Sequence, residues 1–277
     1  MDWLTENKIP LGEWINVTVD LTNEHAAWFF DWISISLGFV IEGLTGLLIW
    51  CHPLALVAIF TFASYCLHRS LKLSLMILSS LLLIINMGYW DATLESLALI
   101  LFSTTFCMLI GVPLGIASAH RPWLYKIVHP ILDLMQTIPT FVYLIPTLIL
   151  FGLGPVPGVI STMIFALPAP VRLTHLGISS VPQSMIDAVE SFGATKSQLL
   201  WKVELPYAKP TIMAGLTQCI MLSLSMVVIA ALVGADGLGT PVVRALNTVN
   251  IAKGFEAGLA IVLVAIMLDR VCKEPNQ

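Results

Sequence analysis

Side chains capable of chemistry are few in this 277-residue chain, and they are scattered. Six histidines, His25, His52, His68, His120, His129 and His175, fall near the ends of apolar runs, where a ring nitrogen serves an interface far more often than a metal ion. The sequence has no HExxH pair and no GxxxxGK[ST] run to cradle nucleotide phosphates. Gly152-Leu153-Gly154 precedes Pro155 without the strand and helix that a dinucleotide site requires. Asp187 and Glu190 stand one helical turn apart, but in a hydrophilic stretch such a pair is a solvated face. Cys51, Cys66, Cys107, Cys219 and Cys272 show no CxxC spacing, which excludes a disulfide framework or zinc site and leaves them as small core residues. No catalytic residue, metal ligand set or cofactor of the chain's own emerges, so a non-catalytic role is expected.

The elements that hold these residues are membrane elements. Apolar residues make up 57% of the chain and charged residues 11%, against roughly 25% charged in a soluble domain. Stretches almost free of charge cover 52–68, 71–88, 92–119, 129–153, 156–176, 211–233 and 254–270, each near the ~20 residues a spanning helix needs. The fold class is therefore an all-α polytopic membrane protein with about seven transmembrane helices. With a formal charge of −4 and no basic patch, nucleic acid is excluded as a partner; the lipid bilayer is the expected one.

Residues 27–50 carry Asp31, Ser34, Gly38, Glu42 and Thr45 in one stripe, with Trp28, Phe29, Trp32, Ile35 and Phe39 facing elsewhere. That pattern predicts an interfacial amphipathic helix. The N-terminus has Asp2 and Glu6 ahead of Lys8 and does not read as a cleaved signal peptide. Counting basic residues in the loops puts Arg69, Lys72, Arg121, Lys126, Arg172, Lys196, Lys202, Lys209, Arg270 and Lys273 on one side and Lys8, Arg244 and Lys253 on the other. The richer side is cytoplasmic. The N-terminus is then outside and the C-terminus inside, whereas counting 27–50 as an eighth span would bring Lys8 inside and leave the rest unchanged. The organisation expected is an outer-face segment over 1–50, two accessory transmembrane helices over 51–91, a core over 92–270, and a cytoplasmic tail over 271–277.

The longest hydrophilic stretch inside the core, 177–210, lies in the cytoplasm by this count. Pro182 suits a first helical position, the run to Phe192 is helix-compatible, and Gly193 stands where a left-handed residue would close that helix. Thr195 and Gln198 form a capping box for a second helix through about Glu204, delimited by Pro206 and Pro210. Ile186, Val189 and Phe192 share an apolar face on the first helix. That face needs an outside partner, the chain's own helix ends, or lipid headgroups.

At this point the residues resemble a known family. Asp187-Ala188-Val189, three residues, Gly193, nine residues, then Val203-Glu204-Leu205-Pro206 is similar to the EAA loop of ABC importer permeases, with Asp187, Val189 and Val203 replacing Glu, Ala and Ile of that pattern. The run ILDLMQTIPTFVYLIP from Ile131 to Pro146 resembles the glycine betaine, proline and choline branch of the family. So do FGLGPVPGVI from Phe151, IFALPAPVRLTHLGI from Ile164 and LSMVVIAALVGADGLG from Leu224.

The resemblance implies a MetI-like ABC permease core, present in two copies, paired with two ATPase subunits that use ATP and magnesium. It also implies a separate periplasmic or membrane-anchored substrate-binding protein in a bacterial inner membrane; neither terminus here is long enough to fold such a domain. Asp187, Ala188, Val189, Phe192, Gly193, Val203, Leu205 and Pro206 would form the ATPase-coupling loop, with Leu205-Pro206 stopping the second helix where the chain re-enters the membrane. The substrates implied are glycine betaine, choline or proline-type solutes, in an osmoprotective or nutritional role.

The competing class is an ion- or proton-coupled carrier. It would need charges deep in the bilayer, each costing about 2.5 to 3.5 kcal/mol, whereas Asp133 and Arg172 fall near cytoplasmic span ends where they can snorkel or pair. For the pathway, prolines permit broken helices where a cavity satisfies the freed backbone. Gln136, Thr137, Pro139, Phe141 and Tyr143 are candidates, with aromatic faces attracting a quaternary ammonium at about 0.5 to 2 kcal/mol each. Tyr89 and Trp90 at the outer interface are alternatives, and Asn86 and Gln218 are further polar residues able to line a cavity. Gly111 and Gly115 form a GxxxG step suited to a close helix crossing, within the chain or between copies.

Overall fold

A computed structural model describes residues 11–273. Residues 1–10 of the expected outer segment and 274–277 of the expected tail lie outside the described residues. Every regular element described is helical: α1 Leu11–Trp50, α2 Pro53–His68, α3 Leu71–Asn86, α4 Trp90–His120, α5 Pro122–Thr137, α6 Thr140–Phe151, α7 Pro155–Ala166, α8 Pro168–Ser179, α9 Gln183–Ser191, α10 Lys196–Leu199, α11 Leu205–Ala230, α12 Gly239–Asn247 and α13 Ile251–Cys272. A π turn, Leu200–Glu204, joins α10 to α11, and a 3-10 turn, Ala231–Val233, follows α11.

The centre of the bundle is α4, α7, α8 and α11. Their close approach depends on small residues. A Cβ added at Gly115 would lie 2.6 Å from the Thr174 Cβ, and one at Gly111 would lie 2.8 Å from the Pro170 Cγ, so the GxxxG step of α4 seats α8 within the same chain. On its other side α8 meets α11, where a Cβ at Gly177 would stand 3.0 Å from that of Ala208. The GADGLG turn, Gly234–Gly239, is held to α4 by Leu238 N–H, which donates to Ser96 Oγ at 2.8 Å.

Four places in the fold add to or correct the sequence expectation. The polar stripe of 27–50 does not simply face water: Ser34 donates to the Phe151 carbonyl at 3.3 Å, Phe30 packs edge-on against Phe151, and Ile41 is buried. Trp28, Trp32, Ile35 and Phe39 are instead exposed. This is the pattern of a peripheral helix with a contact face toward the bundle, and Glu24–Trp50 is long and apolar enough to cross a membrane.

The accessory helices expected over 52–68 and 71–88 are present as α2 and α3, of 16 residues and about 24 Å each. Arg69 in the left-handed region and the Ser70 cap, which accepts from Leu73 N–H, make the turn between them.

The span expected over 129–153, whose prolines permit a broken helix, is two helices, α5 and α6, bent by 96°. Pro139 causes this: it holds Ile138 extended at φ −68°, ψ 130° and ends α5 there.

Pro206 and Pro210 do not stop a second helix, nor do Leu205-Pro206 end it, because the chain is helical from Lys196 to Val233. In the π turn Leu205 N–H reaches back to the Leu200 carbonyl. That widened turn takes up the irregularity a proline imposes on the preceding residues, so the helix continues through it.

Candidate functional site

The segment between α8 and α11 is built from local signals. Pro182 precedes α9 with an extended backbone, and Gly193, at φ +77°, reverses the chain after it. Gly193 N–H bonds the Glu190 carbonyl at 2.8 Å and Ala194 N–H bonds that of Val189 at 3.3 Å, closing the helix end. Thr195 then starts α10 with a complete capping box: its Oγ1 accepts from Gln198 N–H, and the Gln198 side chain accepts from Thr195 N–H at 2.8 Å. Val181 and Leu199, buried at either end, anchor the segment.

Between these anchors α9 buries nothing. Phe192 is 93% exposed, Asp187 and Ala188 are exposed, and Ile186 and Val189 are half-buried. Asp187 is held on its own helix, accepting from the Gln183 amide at 2.8 Å. Val203 and Leu205 are half-buried at the base of the segment and Pro206 is exposed on α11. The result is a short stiff helix with an exposed aromatic at its tip, carried on α11.

The candidate pathway residues cluster at the α5–α6 bend but do not share one surface. Arg172 on α8 donates to Gln136 Oε1 at 3.0 Å and to Asp133 Oδ1 at 2.5 Å, while His129 meets the other Asp133 oxygen at 3.0 Å. Asp133 and Arg172 therefore pair, as their span-end positions allowed. Thr137 Oγ1 donates to the Leu134 carbonyl at 3.4 Å. Tyr143 folds back under the bend, its hydroxyl within 2.6 Å of the Met135 carbonyl and 3.2 Å of that of Leu134. Pro139 has no N–H to offer the Met135 carbonyl, and the phenol takes that place, while the Leu134 carbonyl also accepts from Ile138 N–H at 3.1 Å. Phe141 is exposed on α6, away from this network.

Cavities adjoin the bundle at several places. Gln218 and Thr217 line one of about 290 Å³ between α11 and α13 with the Asp269–Lys273 ion pair. Tyr89, Arg244, Lys253 and Glu256 line one of about 540 Å³ at the end of the bundle where α12 turns into α13; there, burial and the Glu256 carboxylate push the Tyr89 phenol above its ordinary range. Trp90 is buried beside a third cavity, lined by Phe60, Ile77 and Met267.

Sequence reasoning did not find the pairing of His120 with Glu204. Glu204 is 4% exposed at the end of the π turn, with His120 Nε2 at 2.9 and 3.1 Å from its two oxygens. Nor did it find Tyr125 stacked on His175 at 3.7 Å. Both join residues on different helices. The one local sign was an acidic residue inside the step Val203-Glu204-Leu205-Pro206, where an apolar face begins.

Among the described residues no group of three or more His, Cys, Asp or Glu side chains is placed to hold a metal ion.

Comparison with known proteins shows the chain's family. Over residues 111–271 the chain matches the family described as "Binding-protein-dependent transport system inner membrane component". It is 45% identical over 264 residues to the glycine betaine transport system permease protein OpuAB of Bacillus subtilis, covering 95% of this chain and 93% of that one. It is 43% identical to the glycine betaine/carnitine transport permease protein GbuB of Listeria monocytogenes, over 97% of this chain and 96% of that one. In fold it is similar to the inward-facing MetNI methionine ABC transporter, with a TM-score of 0.57 at 24% identity over 62% of this chain and 87% of that one. The chain thus belongs to the binding-protein-dependent transport system inner membrane components, as a multi-pass permease of the inner membrane.

Proposed function

We propose that the chain is the membrane-spanning subunit of an ATP-driven importer of glycine betaine, choline or proline-type compatible solutes. The observation that carries this reading is α9: a rigid helix with none of its residues buried and Phe192 at its tip 93% exposed. An apolar face of that kind on a cytoplasmic loop fits a groove in a partner, and a rigid-body motion of that partner would pass through α10 and the π turn into α11. The partner is an ATPase subunit in two copies, which binds and hydrolyses ATP with magnesium while this chain remains non-catalytic.

Two permease copies enclose the pathway, with residues 92–270 as the core, 51–91 as accessory helices and 1–50 on the outer face. The N-terminus is outside and the C-terminus in the cytoplasm, and a separate binding protein delivers substrate. The similarity to permeases named for glycine betaine and carnitine supports the substrate class. In the pathway, Gln136, Thr137 and Pro139 shape the bend, and Phe141 offers an aromatic face to a quaternary ammonium.

Reconstitution with the ATPase and binding protein tests this. Uptake of labelled glycine betaine should require internal ATP, with choline and proline as competitors ranking the substrates. Uptake that continues without ATP and collapses with an ion gradient would establish the carrier reading instead.

A further inference from the structure

Glu204 is a carboxyl group almost wholly withdrawn from solvent, at the point where the coupling segment becomes a spanning helix. Burial of such a group is costly unless it is paired, and an apolar residue would pack there without that cost. Its partner is His120, whose Nε2–H donates to both carboxyl oxygens, at 2.9 and 3.1 Å, across 84 positions of sequence. His120 is the last residue of α4; Arg121 after it is extended, and Pro122 begins α5. The pair therefore ties the base of the coupling segment to the corner from which both α4 and α5 depart.

Glu204 also closes the π turn Leu200–Glu204, in which Leu205 N–H bonds the Leu200 carbonyl. A π turn inside an otherwise α-helical run is a place where a helix gives, and such turns are concentrated at functional sites. On one side of it lies α9, which buries nothing. On the other side α11 packs against α8 through Gly177 and Ala208, and α8 packs against α4 through Gly115 and Thr174. A push on α9 can either flex the turn or move the block behind it.

We propose that the His120–Glu204 pair is the positioning contact that stiffens this turn, so that displacement of α9 moves α4, α8 and α11 together. This rests on the reading of α9 as the ATPase-docking helix. Without the pair, the ATPase would still dock and turn over while its motion was absorbed at 200–204. The pair thus sets the coupling ratio rather than assembly.

The test uses the complete transporter, with the ATPase and binding protein, in vesicles. Glu204→Ala and His120→Ala should co-purify with the ATPase and hydrolyse ATP within about twofold of the parent, yet use about fivefold more ATP per substrate imported. The double variant should be no worse than either single one, because both remove the same contact. Glu204→Gln, whose amide oxygen still accepts from Nε2–H, should recover most of the coupling. An unchanged ratio of ATP to substrate in His120→Ala overturns the proposal, as do additive losses in the double variant. His120 is 44% exposed and decides the question even where Glu204→Ala accumulates poorly. Failure of the docking reading has a separate signature: ATPase co-purification would then be insensitive to changes at Phe192.

Discussion

Arg172 of α8 and Asp133 of α5 meet at 2.5 Å just ahead of the bend at Ile138, and Gln136 accepts from the same guanidinium at 3.0 Å. The amphipathic α5 is thereby held against the packed centre of the bundle while α6 departs at 96°. Their side chains remain 33% and 47% exposed, so the interaction is worth about 1 kcal/mol, the upper end for solvent-exposed ion pairs. Arg172→Ala should lower stability in detergent by that amount and slow uptake. The exchanged pair Arg172→Asp with Asp133→Arg should recover part of both, and a thermal-unfolding cycle over the four proteins measures it. Equal stability and equal uptake in all four would discard a role for this pair.

Phe192 separates docking from folding. Because the side chain is 93% exposed, Phe192→Ala should change the permease's own stability by less than about 0.5 kcal/mol. Loss of an anchoring aromatic should nevertheless weaken ATPase association by about 2 kcal/mol. Titrating the ATPase onto the permease in nanodiscs, beside a melting curve of the permease alone, gives both numbers.

Gly193 answers to backbone conformation rather than to space. Its φ is +77° and nothing lies within 4 Å of an added Cβ. Gly193→Val should therefore strain the turn by about 1–2 kcal/mol and abolish uptake. Gly193→Asn, which tolerates the left-handed region, should keep most of it. Membrane insertion should be normal in both, as read by yield and monodispersity.

Gly115 is the opposite case. A Cβ there would fall 2.6 Å from the Thr174 Cβ and 2.8 Å from the Val171 carbonyl oxygen. Gly115→Val should force α4 from α8 at a cost of about 3 kcal/mol or more, and the variant should appear as aggregated protein on size exclusion.

Thr195→Ala removes one half of a capping box. A loss of about 1 kcal/mol is expected, confined to the start of α10. Hydrogen exchange should report it as faster exchange of the Gln198 amide, with slowly exchanging amides in α8 and α11 unchanged.

What the sequence made legible is what depends on neighbours along the chain. Gly193, Thr195 with Gln198, and the break at Pro139 are each set within a few residues, and each stands where local chemistry puts it. The apolar runs likewise located the helices, since a lipid-facing helix needs no partner pattern. Proline as a stop signal failed at Pro206 and Pro210, because a proline interrupts one bond of the ladder and the π turn takes up the gap. The contact face of 27–50 was hidden for a related reason: Ser34 finds its acceptor on Phe151, far along the chain. The His120–Glu204 contact was beyond any local pattern, since it depends on how α4 and α11 end beside each other.

The π turn also makes the coupling segment a matter of counting. Each residue in a helix advances the direction of its side chain by about 100°. Were the five residues Leu200–Glu204 to tighten into ordinary α-helix with none removed, α9 would swing around the α11 axis by about that angle. Phe192 would then point in a different direction with every one of its neighbours on α9 intact. The length of this stretch, as much as its composition, aims the aromatic tip.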